Sequence, residues 1–294
     1  MAHILKNKNL EIHIDFPHEN YNFSRFDWTG KIVKVNFNDV PISTVESFNC
    51  ENENYVGKGF YNEFGIDSAL GFDDAQIGEW FHKIGVGLLK KDSHQYLFSK
   101  KYDIRPAEFK TITNSNSLII SCKPEAVNGF SYFLEKKIDL HESSFTITYY
   151  LQNTGEKSIN TDEYIHNFTA INNDLIGSHY KLKFPFQLNP ELFNEIVNPE
   201  QKIDISKNQI DFRGSINKEF FFSNLTGNEK VKAKWELLNH KNNIAISETT
   251  NFTTNKVNLW GSKHVVSPEL FFNINIKPGE STEWSRTYNA YHLK

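Results

Sequence analysis

The sequence predicts an all-β protein, folded as a large antiparallel β-sandwich with few short helices. Three observations support this fold class: polar and apolar residues alternate in many short runs, aromatic residues make up 14% of the chain, and helix signals are few. Alternation with a period of two buries one face of a strand and leaves the other in solvent. Aromatic side chains favour such half-buried, pleated surfaces. Many strands at short spacing indicate a sandwich or barrel instead of βαβ units.

Eight alternating runs predict strands, and turn-forming segments rich in Gly, Asn and Pro separate them. In chain order the runs are residues 31–37, 116–123, 133–140, 144–153, 179–188, 230–238, 270–277 and 282–291. One helix signal occurs at residues 189–197, where Asn is followed by Pro in the pattern of a helix cap. Neither an internal repeat nor a change of composition divides the chain, so we expect a single domain over residues 1–294.

Charge and cysteine content exclude several classes of protein. Lys and Arg total 32 against 36 Asp and Glu, so the chain lacks the basic surface of a nucleic-acid-binding protein. No apolar run is long enough to span a membrane, and the first residues do not resemble a signal peptide. We therefore expect a cytoplasmic protein. Cys50 and Cys122 match neither a disulfide framework nor a metal site, and we expect both to be reduced.

Polar side chains at predicted strand ends give the first candidate site residues. His82 and Lys83 follow an acidic loop and begin an apolar run, where they either point into a cleft or form an exposed rim. Asp211 and Arg213 lie two residues apart and would share one strand face. Such a pair can bind a ligand, or it can be a surface ion pair.

Two further stretches contain a possible proton donor and a possible base. In a strand, His166 would share one face with Tyr164 and Phe168, and its imidazole titrates near neutral pH. It is either a catalytic group or a hydrogen-bonded core histidine. Glu269 follows a Ser-Pro pair and begins an apolar strand, beyond Trp260. It is either a base or a surface carboxylate beside a turn.

Taken in order, these stretches resemble the aldose 1-epimerase (galactose mutarotase-like) family over nearly the whole chain. The closest likeness is to a bacterial subgroup of that family. The segments that carry the resemblance are FHKIGVG (residues 81–87), EYIHNFTAIN (163–172), DFRGSI (211–216) and SPELFFNINIKPGESTEWSRTY (267–288). None of these motifs is specific alone, and their order and spacing together make the likeness.

The resemblance implies an isomerase that interconverts sugar anomers without a cofactor or a metal. It assigns Glu269 as general base and His166 as general acid for opening and reclosing the ring. His82, with Lys83 beside it, would hold hydroxyl groups or polarise the ring oxygen. Trp260 is a candidate stacking surface because of its position near Glu269. The implied partner is a monosaccharide or related sugar, bound by a monomer or homodimer.

The sequence also departs from the family pattern at two sugar-binding positions. The segment before FHKIGVG has no arginine, and Phe221, Phe222 and Ser223 stand where the family has an Asp-His pair. Arg25 could replace the missing arginine, or it could pair with Asp27. These losses leave open a second function, that of a non-catalytic carbohydrate-binding protein on the same scaffold. A sugar hydrolase or lyase component is a third possibility.

Overall fold

The structure, a computed structural model, describes residues 2–48 and 52–294, whose regular secondary structure is almost entirely antiparallel strand. The helical part of these residues consists of single 3-10 turns at Glu53–Tyr55 and Pro190–Leu192, so the predicted all-β class with few short helices is confirmed. The strands are β1 (His3–Lys6), β2 (Leu10–Asp15), β3 (Lys31–Phe37), β4 (Val40–Pro41), β5 (Phe60–Phe64), β6 (Trp80–Lys83), β7 (Gly87–Lys90), β8 (Ile104–Pro106), β9 (Glu108–Thr113), β10 (Ser117–Lys123), β11 (Tyr132–Leu140), β12 (Ser144–Asn153), β13 (Ile159–Asn167), β14 (Tyr180–Lys183), β15 (Glu195–Val197), β16 (Ile203–Ser206), β17 (Gln209–Phe212), β18 (Phe220–Ser223), β19 (Val231–Asn239), β20 (Ile244–Thr254), β21 (Val257–Ser262), β22 (Val265–Leu270), β23 (Phe272–Ile276) and β24 (Ser281–His292).

Two large sheets provide the main layers of the described part of the chain. One has the strand order β16-β17-β14-β19-β20-β24-β12-β11-β10-β9, and the other has the order β1-β2-β3-β5-β13-β23 with β4 on β3. Their apolar faces share one buried cluster, in which Ile14 of one sheet lies near Ile120 and Ile138 of the other, around Gly30. The alternation in the sequence therefore encodes which face of each strand is buried.

A smaller sheet of order β15-β18-β21-β22 carries Phe221, Trp260 and Glu269. Phe220, Phe222 and Leu259 of this sheet are buried in the main core. Between them, Phe221 and Trp260 are paired in register and half-buried, so they lie on the opposite face. The sheet thus has an apolar face towards the core and a mixed polar and aromatic face away from it.

Three predicted elements differ from the structure. The helix expected at residues 189–197 is limited to the turn at Pro190–Leu192, because the following residues form β15 and pair with β18. The run at 179–188 is a strand only to Lys183, since Pro185 cannot donate to a sheet ladder. The run at 270–277 begins at Phe272, and Leu270 belongs to the preceding strand β22.

The expectations about cysteines and membrane segments can be compared with the described residues. Cys122 is buried and is a free thiol. Cys50 lies outside the described residues. None of the described helices is long and apolar enough to cross a membrane.

Candidate active site

His166 lies near the end of β13, with its imidazole turned towards a cavity. Phe168 stacks on the ring at a centroid distance of 4.2 Å, and Trp260 meets it edge-on at 5.1 Å. Tyr164 lines the same cavity, whereas Ile165 points into the main core. The predicted aromatic face around His166 is therefore confirmed, and it holds the imidazole in one orientation.

Glu269 lies on β22 directly beside His166. Its Oε1 atom is 3.3 Å from Nε2 of the imidazole, and both side chains are almost completely buried. On the other side of the ring, Nδ1 lies 2.6 Å from Oγ of Ser267. Asn258, the register partner of Glu269 on β21, hydrogen-bonds to the carboxyl group. The folded chain thus brings together two groups, His166 and Glu269, that are 103 positions apart in the sequence.

Burial favours the neutral form of both members of this pair. It raises the pKa of the Glu269 carboxyl to about 8, against the opposing influence of the Arg25 charge. Burial, and secondly the Arg25 charge, hold the pKa of the His166 imidazole well below its usual range. At neutral pH the pair therefore holds one proton, on Glu269. In this form Glu269 donates to Nε2, and Nδ1–H of His166 donates to Ser267.

Arg25 lies at the same cavity, in the loop between β2 and β3, and is held by two carboxylates. Its Nε donates to Glu63 at 2.9 Å, and its Nη1 donates to Glu46 at 2.9 Å. The Tyr164 hydroxyl also donates to Glu63, at 2.7 Å. The guanidinium is therefore part of a hydrogen-bonded layer that borders the cavity.

The alternative prediction for Arg25, an ion pair with Asp27, is wrong. The Asp27 carboxylate pairs with Lys136 instead, at 2.5 Å. Lys83 does not reach the cavity either, because it is buried behind it, with Nζ 3.3 Å from Glu63. Its contact with Glu63 supports the position of Arg25, so Lys83 acts through other residues and does not touch a ligand in the cavity.

His82 and Asp211 also lie away from the cavity, which corrects their predicted sugar-binding roles. His82 is fully buried, and its Nε2 lies 3.1 Å from the carbonyl oxygen of Phe130. Asp211 is on β17 in the ten-stranded sheet, where its carboxylate is 3.4 Å from Lys181 as a surface ion pair. Strand alternation cannot distinguish a face that borders a cavity from one that packs against another loop.

The cavity has a volume of about 710 Å³, which is within the usual range for small-molecule sites. His166, Glu269, Arg25 and Trp260 all line it, so four of the seven predicted site residues meet there. Half-buried Trp260 presents an aromatic surface beside the acid/base pair. Among the described residues, no group of three His, Cys, Asp or Glu is arranged to hold a metal ion.

Several residues at the site had no role assigned from the sequence. Asn258 and Ser267 lie two positions from Trp260 and Glu269 on the same strands, so strand alternation could have identified them. Glu63 and Glu46 carry no comparable signal, because they reach Arg25 only through the packing of separate segments.

Three solved structures with the same fold are distant from this chain in sequence. A protein from Synechocystis sp. PCC 6803 is 12% identical with a TM-score of 0.63, over 99% of this chain and 96% of that one. A galactose mutarotase related enzyme from Lactobacillus acidophilus is 11% identical with a TM-score of 0.60, over 100% of both chains. A galactose mutarotase-like protein from Lactobacillus casei is 10% identical with a TM-score of 0.61, over 99% and 100%. The chain therefore has the galactose mutarotase-like fold. No family model and no curated protein matches the sequence.

Proposed function

We propose that the protein interconverts the anomers of a sugar by acid/base ring opening at His166 and Glu269. The observation that supports this proposal is the contact of 3.3 Å between Nε2 and Oε1 at the wall of a cavity of sugar-binding size. The shared fold with mutarotase-like proteins is consistent with it, although fold alone does not determine function.

The reaction needs a proton removed from the O1 hydroxyl and a proton delivered to the ring oxygen. The bond between C1 and the ring oxygen then breaks, C1 becomes an aldehyde, and rotation about C1–C2 before reclosure gives the other anomer. Both oxygens are bonded to C1, so an acid and a base within hydrogen-bond reach of that one carbon's substituents can serve both. The adjacent pair of His166 and Glu269 is compatible with this requirement.

The pair can begin this cycle in either of two protonation states. Glu269 as base and His166 as acid, the roles implied by the family resemblance, require the ion-pair form. The neutral form, which burial favours, has Glu269 as acid and His166 Nε2 as base. Both forms hold one proton, and ring opening converts one into the other. Ring closure then restores the starting state.

Mutarotation measured by polarimetry or NMR tests this proposal. We expect the protein to accelerate mutarotation of at least one sugar in a panel of hexoses, pentoses and disaccharides. His166→Ala and Glu269→Gln should lower kcat by at least about 100-fold with the fold intact by circular dichroism. The exposed neighbours His141 and Glu142 supply matched controls, since His141→Ala and Glu142→Gln should keep full activity.

A panel in which no sugar is accelerated overturns the catalytic proposal. If calorimetry then detects sugar binding that survives Glu269→Gln, the protein is a non-catalytic carbohydrate-binding protein. Trp260 and the cavity would serve that function equally, because neither depends on proton transfer.

A further inference from the structure

A second cavity, of about 560 Å³, adjoins the cavity at His166. Ile66, Phe221 and Asn258 line both cavities, so the two are parts of one cleft. The second cavity begins next to the acid/base pair, because Asn258 hydrogen-bonds to Glu269. A ligand with its reacting end at His166 can therefore extend into this cavity.

Aromatic surface continues from the first cavity to the second. Phe221 is the register partner of Trp260 on the neighbouring strand, and both rings are half-buried on the cleft face of the small sheet. Trp260 lines only the first cavity, whereas Phe221 lines both. The C–H face of a first sugar can pack on Trp260, and the C–H face of a second sugar can pack on Phe221.

Asparagine side chains form the polar wall of the second cavity. Oδ1 of Asn258 accepts a hydrogen bond of 3.0 Å from the backbone N–H of Asn224. The Asn224 amide donates in turn to Asn194 and to Asn228, at 3.1 Å each. These bonds fix the orientation of the amides. The Asn224 amide is fully used within the wall, because its Oδ1 also accepts from Thr226 and from the backbone of Asn228. The amide N–H groups of Asn194 and Asn228 take no part in these bonds, and they can donate to sugar hydroxyls.

The charges of the cleft argue against a phosphorylated sugar. The Arg25 guanidinium is already paired with Glu46 and Glu63. Lys256, in the second cavity, lies between two carboxylates, with Nζ 3.1 Å from Asp67 and 3.3 Å from Asp162. Among the described residues that line the cleft, acidic groups outnumber basic ones. A phosphate would need unpaired cationic donors, so a neutral ligand fits better.

We propose that the cleft binds the reducing end of a neutral oligosaccharide, with the reducing sugar at His166 and Glu269 and the next sugar on Phe221 and the asparagine wall. This inference rests on the proposed function for the position of the reducing end. The contiguous cavities support the second sugar independently.

Matched pairs of sugars test the inference on the full-length protein. Mutarotation would be measured for glucose against cellobiose and maltose, for mannose against mannobiose, and for N-acetylglucosamine against chitobiose, with glucose 6-phosphate as the charged probe. We expect kcat/KM to be at least about tenfold higher for the disaccharide in one or more pairs. Phe221→Ala should bring the ratio of kcat/KM between disaccharide and monosaccharide close to one. Phe133→Ala, which changes a half-buried aromatic on the outer face of β11, should preserve it.

The outcomes separate the inference from the proposed function. If every monosaccharide has a kcat/KM equal to or higher than that of its matched disaccharide, the inference is overturned and the proposed function stands. A preference for glucose 6-phosphate over all disaccharides has the same consequence. If no sugar is turned over but calorimetry shows disaccharide binding that Phe221→Ala weakens, the extended cleft is supported and the proposed reaction is overturned. A ratio that falls equally in Phe221→Ala and Phe133→Ala also overturns the inference.

Discussion

His166 and Glu269 share one proton because both side chains have been removed from water. Each charged form loses its hydration, and the nearby Arg25 guanidinium only partly compensates the carboxylate. In the proposed reaction, the pair can serve as acid and base only while it holds that single proton. A second proton, taken up at low pH, or loss of the single proton at high pH would therefore stop the proposed reaction.

The pH dependence of kcat/KM should follow from this protonation. Above about pH 8 the pair loses its proton, because that is the pKa of the buried Glu269 carboxyl, and the rate should fall. On the acid side the rate should remain high to well below pH 6.5, since burial lowers the pKa of His166. A pH profile of mutarotation checks this. A rate that falls already between pH 7 and pH 6 would contradict the neutral form of His166.

Glu269→Gln should stabilise the protein at alkaline pH. The folded-state pKa of Glu269 lies above the unfolded value near 4.5, so its contribution is fully present below about pH 4.5 and is lost as pH rises to about 8. The difference in the free energy of unfolding between variant and wild type should therefore grow by up to about 1.4 kcal/mol per pH unit across this range. Urea unfolding from pH 5 to pH 9 measures it. A difference that does not change with pH would refute the buried neutral carboxyl.

At the scale of elements, the junction between β13 and β22 determines the geometry of the pair. The Asn167 amide donates to the Pro268 carbonyl at 2.6 Å and to Glu248 at 3.1 Å, and its Oδ1 accepts from Tyr288 at 2.7 Å. Asn167 follows His166, and Pro268 precedes Glu269. This one amide therefore sets how the two strands lie against each other beside His166 and Glu269.

Asn167→Ala should destabilise the protein by about 2–4 kcal/mol, because it leaves several buried polar groups without partners. It should also lower kcat, since His166 and Glu269 lose their fixed spacing. Asn160→Ala, on the exposed part of the same strand, is the control and should change stability by less than about 0.5 kcal/mol. Urea unfolding and mutarotation kinetics give both values. Equal effects of the two substitutions would show that the amide does not hold this junction.

At the scale of the whole molecule, Arg286 of β24 connects the two large sheets. Its guanidinium contacts Glu163 of β13 at 2.7 Å and Glu248 of β20 at 2.6 Å, and all three side chains are fully buried. Trp284 also donates to Glu163, at 2.9 Å. The buried charges are satisfied only when both sheets are in place, so the network specifies how the layers pack.

Arg286→Ala should cost about 3–5 kcal/mol of stability, because it leaves two buried carboxylates without their cation. The matched surface substitution is Lys137→Ala, which removes a half-exposed partner of Asp139 and should cost less than about 1 kcal/mol. Thermal or urea unfolding of both variants checks the contrast. Similar losses in the two would mean that the network contributes no more than a surface pair.

The sequence by itself determined the fold class and most strand positions, and it indicated His166 and Glu269 as the proposed acid/base pair. Local alternation states which side of a strand is buried, so residues 31–37 and 144–153 were predicted with the bounds that the structure has. The positions of His166 and Glu269 came from the order of motifs along the chain. The fold class and the strand positions depend on residues that are close in sequence, so a local pattern is enough to predict them.

Only the tertiary structure decided which polar groups meet. Arg25 pairs with Glu46 and Glu63, while His82 and Asp211 lie outside the cavity. A buried charged side chain destabilises the fold unless a partner of opposite charge reaches it. Here those partners come from other segments, and no local pattern encodes them. For the same reason, the sequence indicated the proposed pair of His166 and Glu269, but the packing of the small sheet against β13 decided their spacing and the cleft beside them.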